Sequence, residues 1–534
     1  MQKRSLVIIS TAVLLLLGCQ LASLLRTSGP ANLSAHGVQR QDAIVLVDGQ
    51  PRTLDPARTL GGPDSALGHI FSGLVTLDTA LQVQPDLAAG WEVSDDRLTY
   101  TFFLRKNAVF HNGRPVTAQD VIFSWERAAD PAAGSDTVQT YLGDIAGVNA
   151  KLTGAAETIS GLRALDDHTL EVRLTAPVVV FLAKLAYPVA FVVDRENVGA
   201  ADWEYRANGT GPFKLQSWRD DEIIVLARNP LYYGEPARVS HLVYDLGASL
   251  PLSQYETDQI DLVYIGGGAL EAALDPNNPL NAELRQVIDL CTTVIGLNNR
   301  IPPFDDARVR QAFNYALDKE RLVATFMSGD ALVAQGALPP GMPGYGGLDG
   351  VSYPFDPERA RALLAEAGYA DPADLGMLTY STAGYGDAGP FVTAVVTLWQ
   401  ETLGVAIAPV VLEPFTYYDA LFAGNVGNFF SSGWCADYPD PQNFLDVLYH
   451  SGSRQNIGGF SSAEADRLLE SARVEPDTAV RLAAYQAAER LIVQQAPVVF
   501  MSHSTTAVLV KPWLQGYVLT PMGVAQWQHV SIQR

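Results

Sequence analysis

Apolar residues along this chain fall into short runs that end at turn-forming residues, a pattern typical of strands. The first such run, residues 43–47 (AIVLV), ends at an Asp-Gly pair. Two later runs, 212–218 and 222–228, are separated by Arg-Asp-Asp and therefore predict a β-hairpin. Further strands are predicted at 98–104 (LTYTFFL) and 168–174 (HTLEVRL).

Helices are indicated by capping residues that precede apolar positions at helical spacing. Thr117 and Asp120 form a variant of the capping box ahead of the amphipathic stretch VIFSWERA. Because helices and strands alternate irregularly and no repeat is found, the predicted class is mixed α/β. Another predicted helix begins at Asp305 or Asp306 and places Val309, Phe313 and Leu317 on one face. A third begins at Asp356-Pro357 and ends at Gly368. Two alanine-rich helices are predicted at 462–473 and 477–495.

The N-terminus has the pattern of an export signal. Lys3 and Arg4 precede an apolar run from Leu6 to Leu17, which is too short to span a bilayer comfortably. The ending Leu-Leu-Gly-Cys19 looks like a bacterial lipobox, which implies cleavage after residue 18 and a lipid on Cys19. The alternative is a plain secretory signal with an incidental cysteine. Both interpretations place the mature chain outside the cytoplasm, and residues 19–41 are expected to be a lipid anchor and linker.

The length, the net charge and the cysteines restrict the possible architecture and the possible ligands. A chain of 534 residues is too long for one ordinary core, so two or three lobes are expected. The formal charge of −22 argues against nucleic-acid binding, because phosphate would be repelled. Besides Cys19, the only cysteines are Cys291 and Cys435, which form either a structural disulfide or two buried free thiols.

Motifs for catalysis, metals or cofactors are missing from the sequence. The glycines at 266–268 lack the lysine and the helix cap of a phosphate loop, and no nucleophile elbow, H-E-x-x-H or C-x-x-C occurs. The acid pairs at 95–96, 166–167 and 220–221 lie where turns are expected. We therefore expect a binding protein rather than an enzyme, with no cofactor and no metal.

The segment 431–444 (SSGWCADYPDPQNF) places one carboxylate, Asp437, among aromatic residues. A carboxylate buried in such surroundings is costly unless a cation meets it, so Asp437 would favour a ligand that carries one. The alternative is that Asp437 only caps a turn before Tyr438-Pro439.

Several longer stretches, at 52–78, 99–131, 208–218, 302–323 and 509–517, match one family in order and in spacing. The chain resembles the large solute-binding lipoproteins of peptide ABC importers, the oligopeptide- and dipeptide-binding group. The likeness extends from about Asp42 to Gln533. It implies a bilobal periplasmic-binding fold of the large class, with an extra third domain and a hinge between the lobes.

The resemblance also implies a site. The family's disulfide corresponds to Cys291–Cys435, and its acceptor for the peptide's α-ammonium group corresponds to Asp437. Trp434 would wall the site, the backbone of Ser432, Gly433 and Trp434 would bind an extended peptide as an added strand, and Cys435 and Phe415 would lie beside it. Relatives carry an arginine and a glutamate where this chain has Ser431 and Gly296, so the resemblance does not extend to recognition of the peptide's carboxylate, and the amino end is expected to be read more strictly than the carboxyl end.

Domain boundaries and partners follow from the same resemblance. Domain I is expected to combine 42–75, 190–290 and 505–534, domain II to span 76–189, and domain III to span 291–504, with hinge strands near Cys291 and Ser504. The protein is expected to act as a monomer, anchored at Cys19, and to deliver peptide to a membrane permease driven by a separate ATPase. The alternatives are a carrier of a nickel chelate, haem, opine or oligosaccharide, and a peptide-sensing envelope lipoprotein.

Overall fold

The structure is a computed structural model that describes residues 32–59, 66–327 and 329–534. The predicted signal peptide and the predicted lipidation site, Cys19, lie outside these residues. The strands are, in chain order, β1 (Ala43–Val47), β2 (Val75–Leu77), β3 (Val83–Pro85), β4 (Ala88–Val93), β5 (Thr99–Leu104), β6 (Leu162–Asp166), β7 (Thr169–Arg173), β8 (Phe213–Arg219), β9 (Ile223–Arg228), β10 (His241–Asp245), β11 (Leu262–Ile265), β12 (Leu284–Ile288), β13 (Cys291–Leu297), β14 (Ala331–Val333), β15 (Met377–Ala383), β16 (Ala406–Leu412), β17 (Phe429–Cys435), β18 (Val498–Val510), β19 (Leu514–Gln515) and β20 (Ser531–Ile532).

The α-helices of the described residues surround these strands. None of them is long and apolar enough to cross a membrane. They are α1 (Ala66–Ile70), α2 (Ala118–Ala128), α3 (Val138–Leu142), α4 (Val148–Leu152), α5 (Phe181–Lys184), α6 (Pro251–Glu256), α7 (Gly267–Leu274), α8 (Ala307–Tyr315), α9 (Lys319–Phe326), α10 (Pro357–Glu366), α11 (Gly389–Leu403), α12 (Pro414–Phe422), α13 (Gln442–Tyr449), α14 (Ala463–Val474) and α15 (Thr478–Gln495).

The five strands predicted from apolar runs are confirmed as β1, β5, β7, β8 and β9, and β8 and β9 form the expected antiparallel hairpin. The capping box is confirmed, since Asp120 Oδ2 accepts from the Thr117 N–H at 2.9 Å and the Thr117 side chain accepts from the backbone of the first turn of α2. Asp306 caps α8, but Leu317 lies beyond its last residue, Tyr315, although it is buried.

One helix start was not predicted. The Gly-Gly-Gly cluster has no capping side chain, as the sequence indicated, yet α7 begins at Gly267 with Gly266 as its N-cap. Glycine has no capping side chain, so the pattern carries no Ser, Thr, Asp or Asn signal. Instead the carboxylate of Asp330 accepts a hydrogen bond from the Gly267 N–H at 3.1 Å.

Two groups of sheets divide the chain into two lobes. We call residues 32–290 with 505–534 the first lobe, and residues 291–504 the second lobe. The first lobe contains a sheet in the order β1-β10-β9-β8 and an antiparallel sheet in the order β4-β5-β7-β6. The second lobe contains most of the largest sheet, in the order β11-β18-β13-β17-β15-β16. The division of the first lobe into domains I and II stays a prediction.

Strand β18 connects the two lobes. Its first half pairs with β13 of the second lobe, from Val498 to Ser502, and its second half pairs with β11 and β12 of the first lobe. The Asp289-Leu290 link between β12 and β13 crosses at the same place. The two crossings lie where hinge strands were expected, near Ser504 and Cys291.

Candidate ligand site at the lobe junction

Strand β17 has a free edge beside the junction of the lobes. Along its whole length it pairs with β13, from Cys291 opposite Cys435 to Leu297 opposite Phe429. On its other side, β15 pairs with it only at Phe429 and Phe430. Within the described residues, the backbone from 431 to 435 therefore has no strand on that side, and an extended ligand could add one there.

A disulfide closes the end of this strand pair. Cys291 and Cys435 are joined with the sulfurs 2.03 Å apart. The Ala436 N–H then donates to the Leu290 carbonyl at 2.8 Å, so the chain stays next to β13 for one more residue. Asp437 follows directly, and its position is fixed by these bonds.

Asn443, in the first turn of α13, holds Asp437 and Trp434 together. Its Oδ1 accepts from the Asp437 N–H at 3.1 Å and from the Trp434 indole N–H at 2.9 Å, and its Nδ2 lies 3.5 Å from Asp437 Oδ2. Asn443 is fully buried, whereas Asp437 is partly exposed. The amide therefore acts as a rigid support for both side chains.

The first lobe contributes a tyrosine to the same carboxylate. The hydroxyl of Tyr141, in α3, donates to Asp437 Oδ2. The Tyr141 ring stacks on Tyr187, with ring centroids 3.9 Å apart, and meets Tyr438 edge-on at 6.4 Å. Burial, and then the Asp437 carboxylate, raise the pKa of Tyr141 well above its usual value, so this tyrosine stays a protonated donor.

Asp437 differs from the acids around it because it has no cationic partner. Asp440 is paired with Arg481 at 2.5 Å, and Asp446 with Arg473 at 2.7 Å. No such ion pair reaches Asp437 from the described residues, and desolvation raises its pKa to about 6 against the opposing hydrogen bonds from Tyr141 and Asn443. Both side-chain bonds go to Oδ2, which leaves Oδ1 available to a ligand.

The turn-capping alternative is not supported by this geometry. The turn after Tyr438 is held by Asp440, whose Oδ1 accepts from the Gln442 N–H at 3.0 Å. Asp437 instead accepts hydrogen bonds from two side chains that belong to different lobes.

The predicted site residues other than Asp437 lie in three different places. Ser432, Gly433 and Trp434 line a cavity of about 360 Å³ in the second lobe, whose lining does not include Asp437. Cys435 is taken up in the disulfide. Phe415 lies in α12 with 63 % of its surface exposed, and its ring contacts Arg52 of the first lobe, 5.9 Å from the ring centroid.

The two departures from the family pattern have different local surroundings. A Cβ at Gly296 would lie 2.1 Å from the Phe430 ring, so no side chain fits at that position. Ser431 Oγ lies within hydrogen-bond distance of Tyr380 Oη, at 3.3 Å, and Thr382 Oγ1, at 3.2 Å. Neither position carries a charge here, and both are part of neutral packing.

Sequence reasoning missed Tyr141, Tyr187 and Asn443. Tyr141 is 296 positions from Asp437 along the chain, so no local pattern connects them. Asn443 has a weak signal, because it lies one helical turn after the Asp-Pro that precedes α13.

With the site's geometry established, comparison with known proteins identifies the family. Residues 82–456 match the bacterial extracellular solute-binding proteins, family 5 Middle. The chain belongs to this family. It is 32 % identical to the periplasmic oligopeptide-binding protein OppA of Salmonella typhimurium, over 90 % of this chain and 91 % of that one. It is 31 % identical to a probable deoxycholate-binding periplasmic protein of Escherichia coli, over 88 % and 89 % of the two chains.

A solved structure of the same family extends the comparison to the fold. Haemophilus influenzae OppA in complex with RPPGFSPFR superposes with a TM-score of 0.80 at 25 % identity, over 93 % of this chain and 100 % of that chain. The bilobal periplasmic-binding fold expected from the sequence is therefore confirmed. The chain is a member of a family of extracytoplasmic solute-binding proteins rather than of an enzyme family.

Proposed function

We propose that this protein is the substrate-binding component of an ABC importer and that it captures extended oligopeptides between its two lobes. The observation that carries this proposal is Asp437, an acid without a cation, held at the lobe junction by Asn443 and Tyr141. An α-ammonium group supplies the missing positive charge and three donors. The free edge of β17 then supplies backbone pairing that reads no side chains.

Binding and closure are coupled in this proposal. A peptide whose ammonium group contacts both Asp437 and Tyr141 bonds to both lobes at once, so it stabilises the closed arrangement more than the open one. The permease would recognise the closed form. ATP hydrolysis would take place on a separate subunit, in keeping with a sequence that lacks a phosphate loop.

The proposal also includes a lipid anchor at the N-terminus of the mature protein. Cys19 would carry the lipid that keeps the protein near its permease. Replacing Cys19 by serine should move the protein from the membrane fraction to the soluble fraction of the cell envelope; a protein that stays membrane-bound would contradict the anchor but not the peptide site.

Calorimetry with matched peptides tests the ligand class. A free-amino tetra-alanine should bind, whereas its N-acetylated form and the Asp437→Asn variant should each lose about 10- to 100-fold in affinity, because a charge-assisted hydrogen bond contributes about 1.5–3 kcal/mol. Asp374→Asn, an exposed acid of the second lobe, is the control and should bind normally. Equal affinity for free and acetylated peptide would refute the proposal.

A second candidate is an amphipathic solute that is not a peptide and whose apolar body would occupy the cavity. It is favoured by the uncharged cavity beside β17 and by the relative named as a probable deoxycholate-binding protein. Deoxycholate has no ammonium group, so its binding should not depend on Asp437. Tight binding of deoxycholate by both the wild type and Asp437→Asn would favour this candidate over peptides.

A further inference from the structure

The cavity beside β17 has no charged residue in its lining, and most of its surface is apolar. Its volume is about 360 Å³, and none of the described residues that line it is Asp, Glu, Lys, Arg or His. For scale, an apolar cavity of about 150 Å³ holds a benzene molecule, so this one could hold a bulky ring system or two branched side chains. The apolar part of its wall includes Leu421, Phe422, Phe430, Leu448, Tyr449 and Phe460.

The packing around the cavity keeps charged side chains out of its lining. Phe430 is buried against Tyr417 and Leu421, and its ring occupies the space that a side chain at Gly296 would need. The nearby Arg300 does not line the cavity, because its guanidinium donates to the carbonyls of Ile457, at 2.7 Å, and Asn456, at 3.2 Å. A charged ligand group inside would therefore lose its hydration and meet only neutral groups, such as Asn299 and Gln455, with no opposite charge.

The cavity is continuous with the proposed peptide path. Ser431, Ser432, Gly433 and Trp434 belong both to its lining and to the free part of β17. Asp437 is three residues beyond Trp434, which corresponds to about 10 Å of extended chain. A peptide anchored by its ammonium group at Asp437 therefore passes the cavity within its first five residues or so.

We propose that this cavity is a specificity pocket, which takes a bulky apolar side chain from one of the first five residues of the bound peptide and disfavours an acidic or basic one there. The inference rests on the proposed peptide-binding function and deepens it. It assigns this protein a preference at one side-chain position, although the rest of the peptide is held by its backbone.

A positional scan measures this preference. Penta-alanine with a free amino end is the host, each position is changed singly to Phe, Glu or Lys, and affinities are measured by calorimetry at pH 7.5. At one position Phe should bind about tenfold or more tighter than Ala, the size expected for burying an aromatic side chain. At that same position Glu and Lys should bind more weakly than Ala.

A charge placed at the cavity wall provides the second measurement. Phe422 lines the cavity but is 44 % exposed, so Phe422→Lys should fold, as circular dichroism would verify. This variant should lose at least tenfold in affinity for the preferred Phe peptide and should gain affinity for the Glu peptide. The matched control is Val480→Lys, on an exposed site of α15 that does not line the cavity, which should keep the wild-type preference.

The outcomes separate this inference from the proposed function. A flat scan together with intact dependence on Asp437 and on the free amino end would overturn the pocket and leave peptide binding standing. Failure of every peptide to bind would overturn the proposed function itself. Binding of deoxycholate that Phe422→Lys abolishes, without any position preferring Phe, would assign the cavity to a non-peptide solute and overturn the inference.

Discussion

Asp437 stands out among the acids of its segment because it is the one whose charge the fold does not neutralise. Asp440 and Asp446 each have an arginine, whereas the Asp437 carboxyl is desolvated and its pKa is raised to about 6. A folded-state pKa above the ordinary value of 3.8 means that the folded protein binds more protons than the unfolded chain between these pH values. This carboxyl therefore lowers stability as the pH rises through that window.

The residue-scale prediction is that Asp437→Asn stabilises the peptide-free protein. At pH 7.5 its free energy of unfolding should exceed that of the wild type by on the order of 2 kcal/mol, because the variant no longer keeps a charge in a desolvated place. Near pH 4 the wild-type carboxyl is protonated, and the difference should disappear. Urea denaturation at the two pH values measures both.

Asp374→Asn is the control for this prediction, since Asp374 is an exposed acid in the same lobe. It should change stability little at either pH. A wild-type protein that is as stable as Asp437→Asn at pH 7.5 would mean that the Asp437 charge is already compensated in the peptide-free protein. Gain of stability with loss of binding is the behaviour expected when a residue is kept for function.

At the scale of elements, the free edge of β17 is the feature with functional consequences. Its neighbour β15 stops pairing at Phe430, so the backbone of residues 431–435 has no strand on that side, although the Tyr417 hydroxyl donates to the Ser431 carbonyl. The N–H groups of an extended peptide point alternately toward and away from such an edge. Only every second peptide amide should therefore matter for binding.

An N-methyl scan of a tight-binding peptide tests this alternation. Methylation of the amides that face β17 should weaken binding about tenfold each, because a buried acceptor on the strand loses its donor. Methylation of the intervening amides should change affinity much less. Equal losses at every position, or none, would contradict binding as an added strand.

How far the sequence predicts the elements depends on whether their signals are local. The strands β1, β5, β7, β8 and β9 and the capped helices α2 and α10 were predicted, because apolar runs and caps are written in neighbouring residues. The start of α7 was missed, because the Asp330 carboxylate that bonds to it comes from 63 positions away. The free edge of β17 could not be predicted either, since it depends on where β15 stops pairing.

At the scale of the whole molecule, the site also depends on contacts between residues that are distant in the sequence. Asp437 and the Cys291–Cys435 disulfide were expected from the family resemblance, whereas Tyr141 comes from the opposite lobe and only the folded chain brings it to Asp437. Tyr438 likewise packs into the core of the first lobe, among Tyr141 and Tyr187. The junction is therefore held by both packing and a hydrogen bond.

Tyr141→Phe tests whether the bond between the lobes couples binding to closure. The variant keeps the stacked ring but loses the hydroxyl that donates to Asp437, so affinity for a free-amino peptide should fall about tenfold. The Tyr141 hydrogen bond also lowers the pKa of Asp437, so without it the loss of affinity on acidification should begin at a higher pH. Small-angle scattering at subsaturating peptide should show fewer closed molecules than in the wild type.

Tyr205→Phe is the matched control, because Tyr205 donates to Asp220 at 2.9 Å on the exposed surface. If Tyr141→Phe binds and closes like Tyr205→Phe, closure is driven by packing alone and the hydroxyl has no part in it.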